Sequence, residues 1–339
     1  MSEAEAVAIV LLVGAMMYAI FGGADFGAGL WQLRTPSGKL GERVTHRIDY
    51  SLTPVWEANH VWLIFILVVT WTGFPEAFGA VMTTLYIPLA LAAVGIVLRG
   101  SNFAFRHVIR GTPLAWATRL FAVSSVLTPF FMGTVVGAIA SGEVPPDGGG
   151  DPMGSWTGTL PLLIGAMFVV SGAYVAAVFL VRDAGAAGEE DVRAHFRRCA
   201  LGAAVVAGLV AVAGILALRA DARFVYDGLT GPGLPLVIAS ALAGLGALAL
   251  LVRDAGDRLE ARALRPLAVG AVAMVVWGWG VAQHPYVLPP EGSEGLTIDA
   301  AAAATASLTT ILVVFGVAVV LILPAIGLLY ALSQRSLLE

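Results

Sequence analysis

Tyr50-Ser-Leu-Thr-Pro-Val-Trp-Glu-Ala-Asn-His-Val-Trp62 runs straight into Leu63-Ile-Phe-Ile-Leu-Val-Val-Thr70, an apolar run suited to the body of a membrane helix. A carboxylate, an amide and an imidazole (Glu57, Asn59 and His60) therefore stand near one end of a segment bound for lipid. Placing a charge inside a membrane helix costs ~2.5–3.5 kcal/mol on insertion scales, so such groups face a protein interior and serve a purpose. Helical geometry puts Glu57 and His60 on one face with Ile64 and predicts that Trp56 stacks over His60, four residues on. The rest of the chain has to make this polar face tolerable.

Composition agrees. The 339 residues are 58% hydrophobic and 12% charged, with a mean hydropathy of +0.87, whereas a soluble domain carries about 25% charge. These values define a polytopic membrane protein. The net charge of −4 and the lack of a basic surface exclude a nucleic-acid partner. The single cysteine, Cys199, excludes an internal disulfide and any cysteine-based metal or iron–sulfur site. Met1-Ser-Glu-Ala-Glu5 lacks the basic start of a cleaved signal peptide, so the first helix is expected to be retained.

Counting apolar runs of roughly 20 residues predicts nine membrane helices, over 6–33, 53–73, 78–100, 113–139, 157–181, 198–219, 232–252, 264–284 and 303–332. The stretches after the first, third, fifth and seventh contain Arg34/Lys39/Arg43/Arg47, Arg99/Arg106/Arg110/Arg119, Arg182/Arg193/Arg197/Arg198 and Arg253/Arg258/Arg262/Arg265. With Arg335 they hold all but two of the chain's cations; Arg219 and Arg223 alone lie on the other side. The positive-inside rule then puts the N-terminus outside and the C-terminus in the cytoplasm. Val144-Pro-Pro-Asp-Gly148 is echoed by Leu288-Pro-Pro-Glu-Gly292. The echo fits either a parallel repeat of four-helix units or ordinary turn chemistry.

Asp25 lies in Phe21-Gly-Gly-Ala-Asp-Phe-Gly-Ala-Gly29 of the first helix. Helical rise puts it roughly 12 Å, and Glu57 about 6–8 Å, from the cytoplasmic end. Arg99 ends the apolar part of an inward-running helix and reaches the same level. Burial raises a carboxyl pKa and a nearby arginine lowers it, so such a carboxyl can exchange protons near neutral pH. The other reading is a static Arg99–Asp25 or Arg99–Glu57 pair holding three helices together. Gly23 and Gly27 form Gly-x-x-x-Gly, which lets a neighbouring helix approach closely.

His60 offers half of a bis-histidine haem site, but His46, His107, His195 and His284 all fall near loops or helix ends, so a hydrogen-bonded His60 is the commoner case. Trp56, Trp62, Trp71, Trp277 and Trp279 could edge a planar cofactor or act as interfacial anchors. Glu76 and the charged loop 183–197 read as solvated.

Several segments resemble subunit II of the cytochrome bd-type quinol oxidases. They are Gly22-Gly-Ala-Asp-Phe-Gly-Ala-Gly29, Pro54-Val-Trp-Glu-Ala-Asn-His-Val-Trp-Leu63, Phe74-Pro-Glu-Ala-Phe78, and Leu85-Tyr-Ile-Pro-Leu89 with Leu98-Arg-Gly100 and Phe103-Ala-Phe-Arg106. Gly278-Trp-Gly280, Pro285-Tyr-Val-Leu-Pro289 and Leu296-Thr-Ile298 extend the likeness to the ninth helix. The resemblance implies one membrane domain over 1–339, with four-helix bundles at 1–140 and 155–285 and a peripheral helix at 300–334.

It also implies a multi-pass protein of the bacterial inner membrane, paired with a haem-carrying subunit I, with a small accessory subunit and lipid as further candidates. That partner would hold haems b and d, oxidise quinol and reduce oxygen to water with cytoplasmic protons; this chain would bind neither metal nor haem. Glu57 and Asp25 would line the proton path, Arg99, Asn59 and His60 would support it, and Trp56 would lie near the partner's haem. Three departures stand out. Where the family often has Asp-Gly-Phe-Asp the chain has Gly22-Gly-Ala-Asp25, Trp-Asp-Gly-Asn becomes Trp56-Glu-Ala-Asn59, and His60 replaces Gln or Glu. The alternative, from residues alone, is a transporter or channel with Asp25, Glu57 and His60 as its ion site; a third reading is a haem protein using His60.

Overall fold

The computed structural model describes the backbone of residues 1–105, 112–254, 256, 258–291 and 294–334. Side chains are described over the same ranges apart from 52–58, 102–105, 112–119, 258, 322–323 and 325–334. The elements in order are α1 (Glu3–Leu33), α2 (Lys39–Gly73), α3 (Pro75–Thr84), α4 (Tyr86–Phe105), α5 (Thr112–Ala140), α6 (Gly154–Thr157), α7 (Thr159–Ala186) and α8 (Glu190–Asp221). There follow α9 (Arg223–Thr230), α10 (Leu234–Arg253), α11 (Arg258–Gln283), β1 (Tyr286–Leu288), β2 (Leu296–Thr297), α12 (Ile298–Ala301) and α13 (Thr305–Gln334). Strands β1 and β2 pair antiparallel.

Six described helices are each long and apolar enough to cross a membrane: Glu3–Leu33, Leu120–Ala140, Thr159–Ala186, Glu190–Asp221, Leu234–Arg253 and Leu259–Gln283. Asn59–Gly73 and Pro75–Thr84 pass the same test as a pair bent by 117°, and Tyr86–Ser101 and Thr305–Leu321 are shorter apolar helices. The protein is an all-α integral membrane protein.

Three helix boundaries differ from the sequence reading, each for a local reason. The run at 78–100 divides at Leu85 into α3 and α4, because Pro88 has no N–H for the Thr84 carbonyl and its ring crowds that group. Helix α2 starts at Lys39, not 53, because Leu40, Val44 and Ile48 recur every four residues and pack into one core with Val181, Ala184, Val192 and Phe196. Helix α8 starts at Glu190 and takes in most of the loop read as solvated, with Glu190 and Asp191 in its first turn, where acidic groups complement the helix dipole.

Helix α1 is the hub, in contact with α2, α5, α7, α11 and α13. Its glycines allow this. A Cβ at Gly27 would land on the Gly172 carbonyl of α7, and one at Gly23 would lie 3.3 Å from Gly172 Cα. The close-approach motif therefore serves the α1–α7 contact. Trp31 secures it by donating its indole N–H to the Ala173 carbonyl at 2.8 Å. A second such pair, Gly133 and Gly137 of α5, meets Gly165 and Pro161 of α7.

The two ends of the molecule differ in chemistry. At one end Arg43 pairs with Asp191, Arg47 with Glu189, Arg193 with Asp254 and Glu260, and Arg265 with Asp183. At the other end Ser2 donates to Asp299, Thr309 donates to Glu3, and the Ala303 N–H donates to the Gly73 carbonyl. The echoed turns meet at this second end, where Gly142 packs against Glu291 and the core takes in both Val144 and Leu288.

Candidate functional site

Four helices bring polar groups to one buried point. Asp25 of α1 is 3% exposed, Asn59 of α2 2% and Arg99 of α4 3%. An Arg99 Nη2 donates to Asp25 Oδ1 at 2.5 Å and to the Asp25 carbonyl at 2.8 Å, while Nη1 donates to Ser125 Oγ of α5. The Asn59 amide donates to the other carboxylate oxygen, Asp25 Oδ2, at 3.3 Å. The guanidinium lies over two aromatic rings, with its carbon 5.0 Å from the Phe26 ring centroid and 4.3 Å from that of Phe121. Such a stack compensates a desolvated cation.

Backbone spacing makes the centre possible. Added to Gly29, a Cβ would overlap Ser125 and lie 2.8 Å from Arg99 Nη1; added to Gly22, one would lie 2.7 Å from Asn59 Oδ1. Glycine at both positions lets α2, α4 and α5 press their polar side chains against α1. Not every buried group is paired. Among the described residues, Tyr18 Oη, Asn59 Oδ1 and Arg99 Nε find no hydrogen-bond partner.

Of the residues singled out from sequence, Asp25, Asn59 and Arg99 come together, and the Arg99 partner is Asp25. Trp56 and Glu57 lie on α2 with side chains outside the described residues, so the expected Trp56–His60 stack and the Arg99–Glu57 alternative lie there too. His60 is half-buried on the same helix, next to Asn59. Ser125, Phe121 and Tyr18 were not anticipated. Ser125 and Thr128 were visible as hydroxyls inside an apolar run, and Tyr18 lies seven residues before Asp25, hence on the same side of α1.

The other described histidines are dispersed: His46 stacks on Tyr50, His195 contacts Cys199, and His284 contacts Glu5. No cluster of three or more metal-ligating side chains occurs among the described residues. Trp277 donates to Met16 Sδ at 3.2 Å and packs α11 on α1. Pro36, Gly38, Glu42, Thr45, His46 and Asp49 line an open depression of about 550 Å³ at the arginine-rich end.

An ionisable pair buried where four helices of a membrane protein meet defines a class: integral membrane proteins with an internal charged centre. The comparisons narrow this to one family. Residues 4–333 match the family described as cytochrome bd terminal oxidase subunit II, and the chain belongs to it. It is 22% identical over 292 residues to the putative cytochrome bd menaquinol oxidase subunit II of Bacillus subtilis, covering 81% of this chain and 80% of that one. It is 27% identical over 138 residues to subunit 2 of the cytochrome bd-I ubiquinol oxidase of Escherichia coli, covering 39% of this chain and 35% of that one. A chain in the structure of bd oxidase from Geobacillus thermodenitrificans superposes with a TM-score of 0.79 at 25% identity, covering 98% of both. These relatives are subunits of quinol:oxygen oxidoreductases.

Proposed function

We propose that this chain is the subunit without haem of a bd-type terminal oxidase in a bacterial inner membrane. It works beside a haem-carrying subunit I in which haems b and d oxidise quinol and reduce oxygen to water. The single observation carrying the reading is the Asp25–Arg99–Asn59 centre, a carboxylate held in the membrane interior of a chain that belongs to this family. Haem chemistry is assigned to the partner, because the bd oxidase family carries haems b and d in that subunit.

In this reading nine helices span the membrane as two four-helix bundles and a peripheral helix, with the N-terminus outside and the C-terminus in the cytoplasm. The distribution of arginine supports that orientation. Protons enter from the arginine-rich end and pass by Glu57 and Asp25 toward the partner's oxygen-reducing haem. Arg99 fixes the Asp25 carboxylate and keeps one oxygen committed. Asn59 positions the other, and His60 borders the same stretch of α2. Trp56 lies near the partner's haem. A carboxyl alternates between acid and base, which an amide cannot do.

The test is quinol-driven oxygen uptake by the assembled complex. Glu57→Gln and Asp25→Asn are each expected to slow it by at least about tenfold, towards the roughly hundredfold or more typical of losing an acid–base group. Wild-type turnover in a fully assembled Glu57→Gln complex would remove Glu57 from the path.

A further inference from the structure

Tyr18 is the central residue of the 31-residue helix α1, two turns from Asp25 on the same side. It is 8% exposed, and its hydroxyl has no hydrogen-bond partner among the described residues. A buried hydroxyl left unpaired costs about 1–3 kcal/mol, so in native proteins such groups are met by protein or by ordered water. Asn59 Oδ1 is a second orphan, in a side chain 2% exposed.

The two orphans flank the same spot. A Cβ placed on Gly22 would meet Asn59 Oδ1 at 2.7 Å and the Tyr18 ring, at the Cε2 carbon next to the hydroxyl-bearing one, at 3.2 Å. Gly22 thus lets an acceptor with no donor and a hydroxyl with no partner converge beside a carboxylate. One is satisfied by receiving a hydrogen bond and the other by giving or receiving one. A water molecule does both, and buried waters typically hold two to four such groups.

We infer that Tyr18 Oη and Asn59 Oδ1 bind an internal water, which extends the hydrogen-bond network of Asp25 to the middle of α1 and makes Tyr18 a positioning residue for the carboxylate. This rests on the proposed role of Asp25. The Asn59 amide stands between this water and Asp25 and cannot pass a proton on. Water and Tyr18 instead orient Asn59, whose Nδ2 donates to Asp25 Oδ2 at 3.3 Å. Tyr18 acts through water and through Asn59, so it is a positioning group, not one that meets oxygen or quinol.

The experiment compares wild type, Tyr18→Phe and Asp25→Asn as assembled complexes, measuring quinol-driven oxygen uptake in H2O and in D2O, haem content and melting temperature. Phenylalanine keeps the buried ring and removes only the oxygen. Tyr18→Phe is expected to assemble with full haem content and to slow turnover about 2- to 10-fold, the equivalent of one hydrogen bond. Its solvent isotope effect is expected to rise, which a purely structural role would not produce.

Wild-type rate and isotope effect in Tyr18→Phe, with Asp25→Asn impaired, would overturn the inference and leave the proposed role of Asp25 standing. Normal turnover in both variants would overturn the two together. Should Tyr18→Phe fail to assemble, 3,5-difluorotyrosine at position 18 keeps ring and hydroxyl while making the hydroxyl more acidic. A shifted pH profile of turnover then supports the coupling of Tyr18 to Asp25, and an unmoved profile overturns it.

Discussion

Arg99 is the residue on which the centre depends. It is nearly fully buried and spends two nitrogens on Asp25, on Ser125 and on a carbonyl, with two aromatic rings against its guanidinium. Removing one member of a buried ion pair costs about 3–5 kcal/mol, because the other charge is left uncompensated. Arg99→Leu is therefore expected to abolish assembly, read as loss of haem from the purified complex; normal haem content would mean that Asp25 does not depend on the pair. Asp25→Asn is milder, because its amide oxygen still accepts from Arg99 and the guanidinium keeps Ser125, the backbone carbonyl of residue 25 and two aromatic rings. Arg99→Lys is expected to assemble poorly, since an ammonium cannot reproduce the planar fork. Asp25, Asn59 and Arg99 were legible in the sequence because charge and amide are rare within apolar runs. Ser125 was not, because a serine hydroxyl inside a helix can bond its own turn, as Ser125 does to the Phe121 carbonyl at 2.7 Å, and Tyr18 was not, because tyrosine is equally at home with its ring in an apolar run. Only the fold distinguishes a hydroxyl at a helix crossing from one facing lipid.

At the scale of elements, the close crossing of α1 with α7 holds in place the helix that carries Asp25. Gly27→Ala would push a methyl onto the Gly172 carbonyl, and overpacking of this kind costs about 1–3 kcal/mol. By contrast Gly208 of α8 has open space where its Cβ would lie, so Gly208→Ala should gain up to about 1 kcal/mol from helix propensity. Melting temperatures of the two variants are expected to move in opposite directions; equal shifts would mean that the α1–α7 contact is not tight. Hydropathy alone located the apolar runs but misplaced the starts of α2 and α8. The Leu40, Val44 and Ile48 stripe is diluted by Glu42, Arg43, His46 and Arg47, so an average over the window hides a face that periodicity reveals. The division at Leu85 was signalled by Pro88, which a hydropathy count does not register.

Across the whole molecule, the arginines that suggest a cytoplasmic face also bind that face together. Arg47 donates to Glu189 at 2.8 Å across 142 residues of sequence, and this contact holds the Glu189 carboxyl below its usual value of 4.5. A carboxyl with a lowered folded pKa contributes stability that is complete above the unfolded value and is lost as pH falls through the folded one. Glu189→Gln is thus expected to lower the melting temperature at neutral pH, by the equivalent of about 1 kcal/mol or less. The difference from wild type should shrink below pH 4.5, and a difference independent of pH would assign the effect to packing. The central proposal is that a carboxylate fixed inside the membrane passes protons from the arginine-rich side to a redox centre in the partner chain. Its most direct test is proton uptake during a single turnover of the fully reduced complex with oxygen, in vesicles of known orientation. Wild type should take up protons from the arginine-rich side, and Asp25→Asn should slow that uptake at least about tenfold while its haems stay reducible by quinol. Unaltered uptake in a fully assembled Asp25→Asn complex would contradict the account.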